Sequence, residues 1–301
     1  MPPSRCWKAS TRKTPRRRRP RWRQSAPRWN WPSAAARGRV DATRQMMQRR
    51  VDLDGPSNFR DLGGLPVTGG GSTRFGLVYR ADRLCTLSDA DLHRLEDAGV
   101  RHVFDLRSET EAADFPDRLP AGACCVRLPM TSDQTFQART VYERIVDGDI
   151  KSYGEAEMVA GYLRMLENFG QSFARIVRQV ARGEPTVIHC TAGKDRTGLA
   201  SMLLLDLAGV AAEHIVADYA LSSERRPSLQ KDQTEARSLV PMLEDYGLDP
   251  AGFAPLWEAR PAVMSATLEG LHDRWGGAAA YLAAAGVEDS ELAAVRALLR
   301  A

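Results

Sequence analysis

Residues 187–198, VIHCTAGKDRTG, constrain the fold more than any other stretch, because they set Cys190 six positions before Arg196 in a glycine-containing loop between apolar runs. Thr186-Val187-Ile188 reads as the end of a buried strand, and Leu199-Ala200-Ser201-Met202-Leu203-Leu204-Leu205 as a helix that starts at the loop. Backbone N–H groups from Thr191 to Arg196, those of Ala192, Gly193 and Lys194 among them, are then free to point inward at an anion, as at any helix N-terminus. A phosphate fits such a cradle.

Each residue type there has a chemical reason. At a helix start beside Arg196, Cys190 is favoured as the thiolate and becomes a nucleophile. The Arg196 fork can hold two phosphoryl oxygens and follow them into the equatorial plane of a transition state, which lysine cannot copy. Gly193 lets the loop turn without a Cβ in the cradle, and the Thr197 hydroxyl is expected to donate to the Cys190 sulfur. His189 reads as a buttress of the loop. Cys85, Cys124 and Cys125 read as buried structural cysteines. For Cys190 the joint presence of strand, glycine, Arg-Thr-Gly ending and long helix argues against that reading.

Two further motifs accompany the loop: Asn58-Phe59-Arg60-Asp61-Leu62-Gly63-Gly64, and Val103-Phe104-Asp105-Leu106-Arg107 with Glu109. With them the chain resembles, from about Asn58 to its end, the bacterial tyrosine phosphatase family with dual protein and phosphoinositide activity. The resemblance implies phosphomonoester hydrolysis through a phosphocysteine intermediate, a phosphorylated protein or a phosphoinositide as substrate, an α/β core and a helical lid. No metal or other cofactor is required by such a mechanism. A separate acid-bearing Trp-Pro-Asp loop is lacking, since no Trp lies between residues 32 and 256. The general acid therefore stays open. The resemblance favours Asp195, whereas Asp105 ends a strand-like segment, where ligand sites of α/β sheets gather. Whichever acts must carry a proton and come within about 3 Å of the ester oxygen. The other orients Arg107 or Arg196. Lys194 is suited to a second phosphate at the pocket mouth or is a solvated loop lysine. Arg60 and Arg107 are candidate substrate contacts, although Gly63-Gly64 signals a tight turn and the Arg60 motif can equally brace the loop.

The expected architecture is one α/β domain over residues 46–301, a mostly parallel sheet flanked by helices. Strands are expected at 77–79, 101–107, 124–128 and 186–188. Helices are expected at 89–98 with Ser88 as N-cap, and at 135–146, 155–169, 171–180, 199–209, 215–221, 238–246, 262–275, 278–285 and 290–299. Residues 222–257, long and split by Pro227, Pro241, Pro250 and Pro255, are the expected lid.

The first forty residues are of another physical class, with thirteen Lys or Arg, no acid and four of the six tryptophans. Such a segment repels itself and cannot form a core. Of the 42 basic residues, 29 follow residue 40 against 38 acids, so the body is about nine charges negative although the chain nets +4. Residues 1–45 read as a disordered basic tail, or as the product of a start assigned upstream of Met46 or Met47; contact with nucleic acid or an anionic membrane is the less favoured role. No eighteen-residue apolar run or secretory h-region occurs, which with five cysteines, an odd count, points to the cytoplasm, export by a non-classical route being the alternative. A silent phosphate-binding scaffold and a sulfur-transferase-like enzyme are the competing function classes.

Overall fold

The computed structural model describes residues 49–131, 141–224 and 236–301. The basic tail, the first part of the helix expected at 135–146, and residues 225–235 of the expected lid lie outside them. Arg60–Asp61 (β1), Val78–Ala81 (β2), His102–Asp105 (β3), Cys124–Arg127 (β4) and Thr186–His189 (β5) form one sheet in the order β1-β2-β5-β3-β4. β2, β5, β3 and β4 run parallel, as expected, whereas β1 is antiparallel to β2. The exception has a physical reason: the chain between β1 and β2 contains no helix to carry it across the sheet, and parallel pairing needs such a crossover.

Side chains on the central strands alternate between two cores, as the period of two requires. Val78, Phe104 and Ile188 belong to the larger one, while Tyr79, Val103 and Val187 face Phe59, Leu84 and Leu95 on the other side. Both faces are thus covered, which suits a parallel sheet. The helices are Asp89–Asp97 (α1), Glu109–Asp114 (α2), Val141–Val146 (α3), Glu155–Asn168 (α4), Gly170–Val180 (α5), Asp195–Ala208 (α6), Ala212–Glu224 (α7), Ala236–Asp245 (α8), Pro261–Trp275 (α9), Ala278–Ala284 (α10) and Asp289–Leu298 (α11), with a 3₁₀ turn at Pro250–Leu256. Ser88 caps α1 by a reciprocal pair of bonds with Asp91. Apolar on nearly all sides, α6 is buried along most of its length against α4, α5, α7, α10 and α11. It therefore holds the loop after β5 rigidly against the core. None of the helices among the described residues is long and apolar enough to cross a membrane.

Candidate active site

The register sets Ala81, His189 and Asp105 in one row at the carboxyl ends of β2, β5 and β3. Residues 190–194 leave the sheet there, in the crevice where α/β sheets bind ligands. Gly193 has φ +65°, and a Cβ on it would lie 2.5 Å from the Ala81 carbonyl oxygen, so both its conformation and its surroundings demand glycine. Three successive carbonyls of the loop are bound from outside. Thr191 O accepts from the Arg83 amide at 3.3 Å, Ala192 O from Asn58 Nδ2 at 3.0 Å, and Gly193 O from Arg80 Nη2 at 2.6 Å. Because a trans peptide is planar, the N–H groups of Ala192, Gly193 and Lys194 point the opposite way. That of Gly193 lies 3.2 Å from the sulfur of Cys190, which is buried.

Behind the loop sits Asp218 on α7. Its carboxylate accepts from Arg60 Nε at 3.0 Å, from Arg80 Nη1 at 2.6 Å, and from Arg49, all four side chains being buried. Burial alone would raise its pKa, but Arg60, Arg49 and Arg80 hold it well below the usual carboxylate range. Arg60 also donates to Asn58 and to the Asp218 carbonyl, so it braces the loop and does not reach the cradle. Asp61 accepts from the Gly63 and Gly76 amides at 2.7 Å each, fixing the turn. Asp218→Asn should cost about 3–5 kcal/mol, since it leaves three buried guanidiniums without their anion. Urea unfolding with a lowered midpoint and an unchanged slope checks this; a wild-type midpoint would show that the surrounding carbonyls suffice.

Arg196 meets a partner that the motif reading passed over. Its Nη1 and Nη2 donate to Glu111 at 2.6 and 2.8 Å, and Nη1 also donates to Leu106 O at 3.2 Å. Of the five guanidinium protons, those on Nε and the adjacent side of Nη2 then have no partner among the described residues. Glu111 accepts in addition from Thr191 Oγ1 at 2.5 Å and, as the capping-box acid of α2, from the Ser108 amide at 2.7 Å. Burial would raise its pKa, but the bonds and charge of Arg196, followed by Thr191 and Ser108, bring it down to about 2. The motif glutamate Glu109 instead pairs with Arg127 on the surface.

The two candidate acids occupy different settings. Asp195 opens α6 and accepts from Tyr162 Oη at 2.5 Å, with Lys194 Nζ 3.2 Å away. Asp105 is buried, and both its oxygens are held by Arg107, Nε to Oδ1 at 2.8 Å and Nη2 to Oδ2 at 3.0 Å. Arg107 also donates to Asp117 and Phe115 O, and it lines the cavity beside the loop. Lys194 departs from its expected place. It is buried, and its ammonium donates to the carbonyls of Pro255, Leu256 and Glu258 at 2.8, 2.9 and 3.3 Å, at the end of the 3₁₀ turn within the expected lid. Thr197 Oγ1 is buried without a hydrogen bond, so the expected bond to the Cys190 sulfur is not formed.

Asp105, Asp117 and His189 lie close enough together for metal ligation, a grouping that the sequence spacing did not suggest. Arg107 already donates to both oxygens of Asp105 and to Oδ2 of Asp117, so the oxygens a cation would need are occupied. His189 Nε2 is 3.2 Å from Asp117 without the alignment of a hydrogen bond, so the buttress role expected of it runs through this close polar contact. A cavity of about 250 Å³ opens beside the loop, lined by Thr191, Glu111, Arg107 and Arg83, the last stacked 4.7 Å over the Phe115 ring.

Residues 51–301 match the tyrosine phosphatase family. A relative in Cupriavidus necator is 33% identical over 78% of this chain and 84% of its own length. The triple specificity protein phosphatase PtpB of Mycobacterium tuberculosis is 28% identical over 82% of this chain and 98% of its own. For a tyrosine-protein phosphatase of Nostoc commune the identity is 32%, over 71% of each. With the loop of Cys190 and Arg196 inside the matched segment, the chain belongs to the tyrosine phosphatase family.

Proposed function

We propose that this chain hydrolyses phosphotyrosine on proteins through a phosphocysteine intermediate. The observation that carries the reading is the loop itself: carbonyls tied outward, amides turned inward around Cys190, and the Nε–Nη2 edge of Arg196 facing no protein acceptor. In the first step the Cys190 sulfur attacks phosphorus. A P–S bond forms, the P–O ester bond breaks, and its electron pair leaves on the phenolic oxygen, which takes a proton from Asp195. Water then attacks phosphorus and gives a proton to the Asp195 carboxylate, so that phosphate and the Cys190 thiolate are released. Arg196 and the inward amides bind the three equatorial oxygens, where charge accumulates. Asp195 is preferred to Asp105 because the latter has both oxygens occupied by Arg107.

Activity on phosphoserine, phosphothreonine and phosphoinositides is the broader form of the proposal, and it rests on likeness to the triple specificity relative. Lys194 lends it no support, since its ammonium is already held by three carbonyls. The same clasp supports reading the described part of 222–257 as a cover over the site. Residues 46–301 are proposed as the catalytic domain, with Arg49 buried in it. A reducing cytoplasm suits the unpaired Cys85, Cys124, Cys125 and Cys190.

Leaving-group dependence tests the acid. Asp195→Asn should slow phenyl phosphate by about a hundredfold or more, and 4-nitrophenyl phosphate far less, because only the poorer leaving group needs a proton in the transition state. Asp105→Asn should slow both alike through a misplaced Arg107. The reverse pattern would move the proton donor to Asp105.

A further inference from the structure

The mechanism above leaves two buried phenols unused. Tyr162 comes from the middle of α4 and Tyr219 from α7, with their rings edge to face at 6.3 Å and their hydroxyl oxygens 2.8 Å apart. Tyr162 also donates to Asp195 Oδ1 at 2.5 Å. Each phenol has one proton. The proton of Tyr162 goes to the carboxylate, which cannot donate when ionised, so Tyr219 must supply the proton between the two rings. Burial, followed by the charge of Asp195, raises the pKa of both phenols, and both stay neutral donors at any working pH. The result is a directed chain, Tyr219 to Tyr162 to Asp195.

Lys194 Nζ, the other group on this carboxylate, lies 3.2 Å from the same oxygen, Oδ1. Two anchors on one oxygen fix the rotation of the carboxyl and leave Oδ2 without a partner among the described residues. Packing alone does not explain the arrangement, because a phenylalanine at 162 would fill the same space, and a buried hydroxyl is costly unless bonded. Gly198 points the same way. A Cβ there would come within 3.2 Å of the Tyr219 ring, so the last residue of the Arg-Thr-Gly ending is what lets the tyrosine pair lie against α6. We propose that Tyr162 is a positioning residue for the proton donor: it holds Oδ1 of Asp195 so that Oδ2 is presented to the leaving oxygen. This rests on Asp195 as the general acid.

The test uses the full chain and four proteins: wild type, Tyr162→Phe, Asp195→Asn and the double variant. Each is assayed on phenyl and 4-nitrophenyl phosphate, with melting temperature recorded. Tyr162→Phe should lower kcat on phenyl phosphate by about five- to tenfold, the worth of one hydrogen bond, with a loss several times smaller on the nitrophenyl ester and KM little altered. In the Asp195→Asn background the same change should have no further effect. Equal losses on the two esters, or a loss that persists undiminished without Asp195, would overturn the proposal and leave Tyr162 a packing residue. If Asp195→Asn itself slows both esters alike, the general-acid reading fails. If Asp195→Asn is selective and Tyr162→Phe is not, only the role of Tyr162 fails. Should Tyr162→Phe not fold, Tyr219→Phe removes the donor to Tyr162 and should show a smaller loss of the same selectivity; a uniform loss would count against the chain of bonds.

Discussion

Cys190→Ser will keep the wild-type fold and melting temperature while its turnover of 4-nitrophenyl phosphate falls by at least about a thousandfold. The fold is expected to survive because the side chain is buried and makes one polar contact, the Gly193 amide at 3.2 Å, which a hydroxyl oxygen can accept equally well. Loop shape does not depend on the sulfur: it is set by Arg80, Asn58 and Arg83 gripping the carbonyls from outside. What is lost is chemical. A serine hydroxyl does not ionise in this setting, and among the described residues no side chain is hydrogen-bonded to residue 190 as a base, so the attacking electron pair is gone. Near-ultraviolet circular dichroism and steady-state assays on one preparation check both halves. Residual activity above a few per cent would mean that the P–S bond is not on the pathway. A collapsed spectrum would mean that Cys190 matters to packing instead; of the three other cysteines expected to be buried, Cys124 is exposed and Cys85 and Cys125 are only half-buried.

Elements set by local pattern were legible from the residues alone, and those set by long-range partners were not. Ser88 and Asp91 are three apart, and their reciprocal cap announces the start of α1. The all-apolar run of α6 and the strand before it likewise placed the loop at the carboxyl edge of the sheet. The same local grammar contained a signal that went unread. Ser108-Glu109-Thr110-Glu111 has capping-box spacing, and it would have predicted α2 and singled out Glu111 rather than Glu109. That Glu111 also meets Arg196 has no local signature, because the two are joined only when β3 and β5 pair. Asp218 is the extreme case. Its partners lie at residues 49, 60 and 80, and helical periodicity on α7 gives no hint that a buried aspartate would collect three arginines. Lys194 shows the opposite failure: a lysine beside the cradle reads as a contact for a second phosphate or as solvated, yet the 3₁₀ turn ending near Leu256 brings carbonyls to it that only the folded chain supplies.

Arg196→Lys should be nearly as damaging as loss of the nucleophile, with kcat/KM on aryl phosphates down by about a hundred- to a thousandfold or more. The guanidinium performs two tasks at once: its Nη1–Nη2 end holds Glu111 and Leu106 O, and its Nε–Nη2 edge is left for two phosphoryl oxygens. An ammonium keeps the charge but has three protons on one point, so it cannot satisfy Glu111 and the equatorial oxygens in a single plane. Glu111→Gln separates the two tasks, since it weakens the anchor and leaves the phosphate edge intact; a loss of roughly tenfold is expected. Its pH behaviour follows from the sign of the shift. A carboxylate whose pKa falls from 4.5 to about 2 on folding stabilises the native state above pH 4.5, and that contribution disappears as pH drops toward 2. The stability gap between wild type and Glu111→Gln should therefore be constant from neutrality to about pH 5 and close below it, and the acid limb of the activity profile should be the same in both proteins. A limb that moved on replacing Glu111 would show that the Arg196 anchor titrates within the working range, and the end-on pair would then be a switch rather than a fixed support.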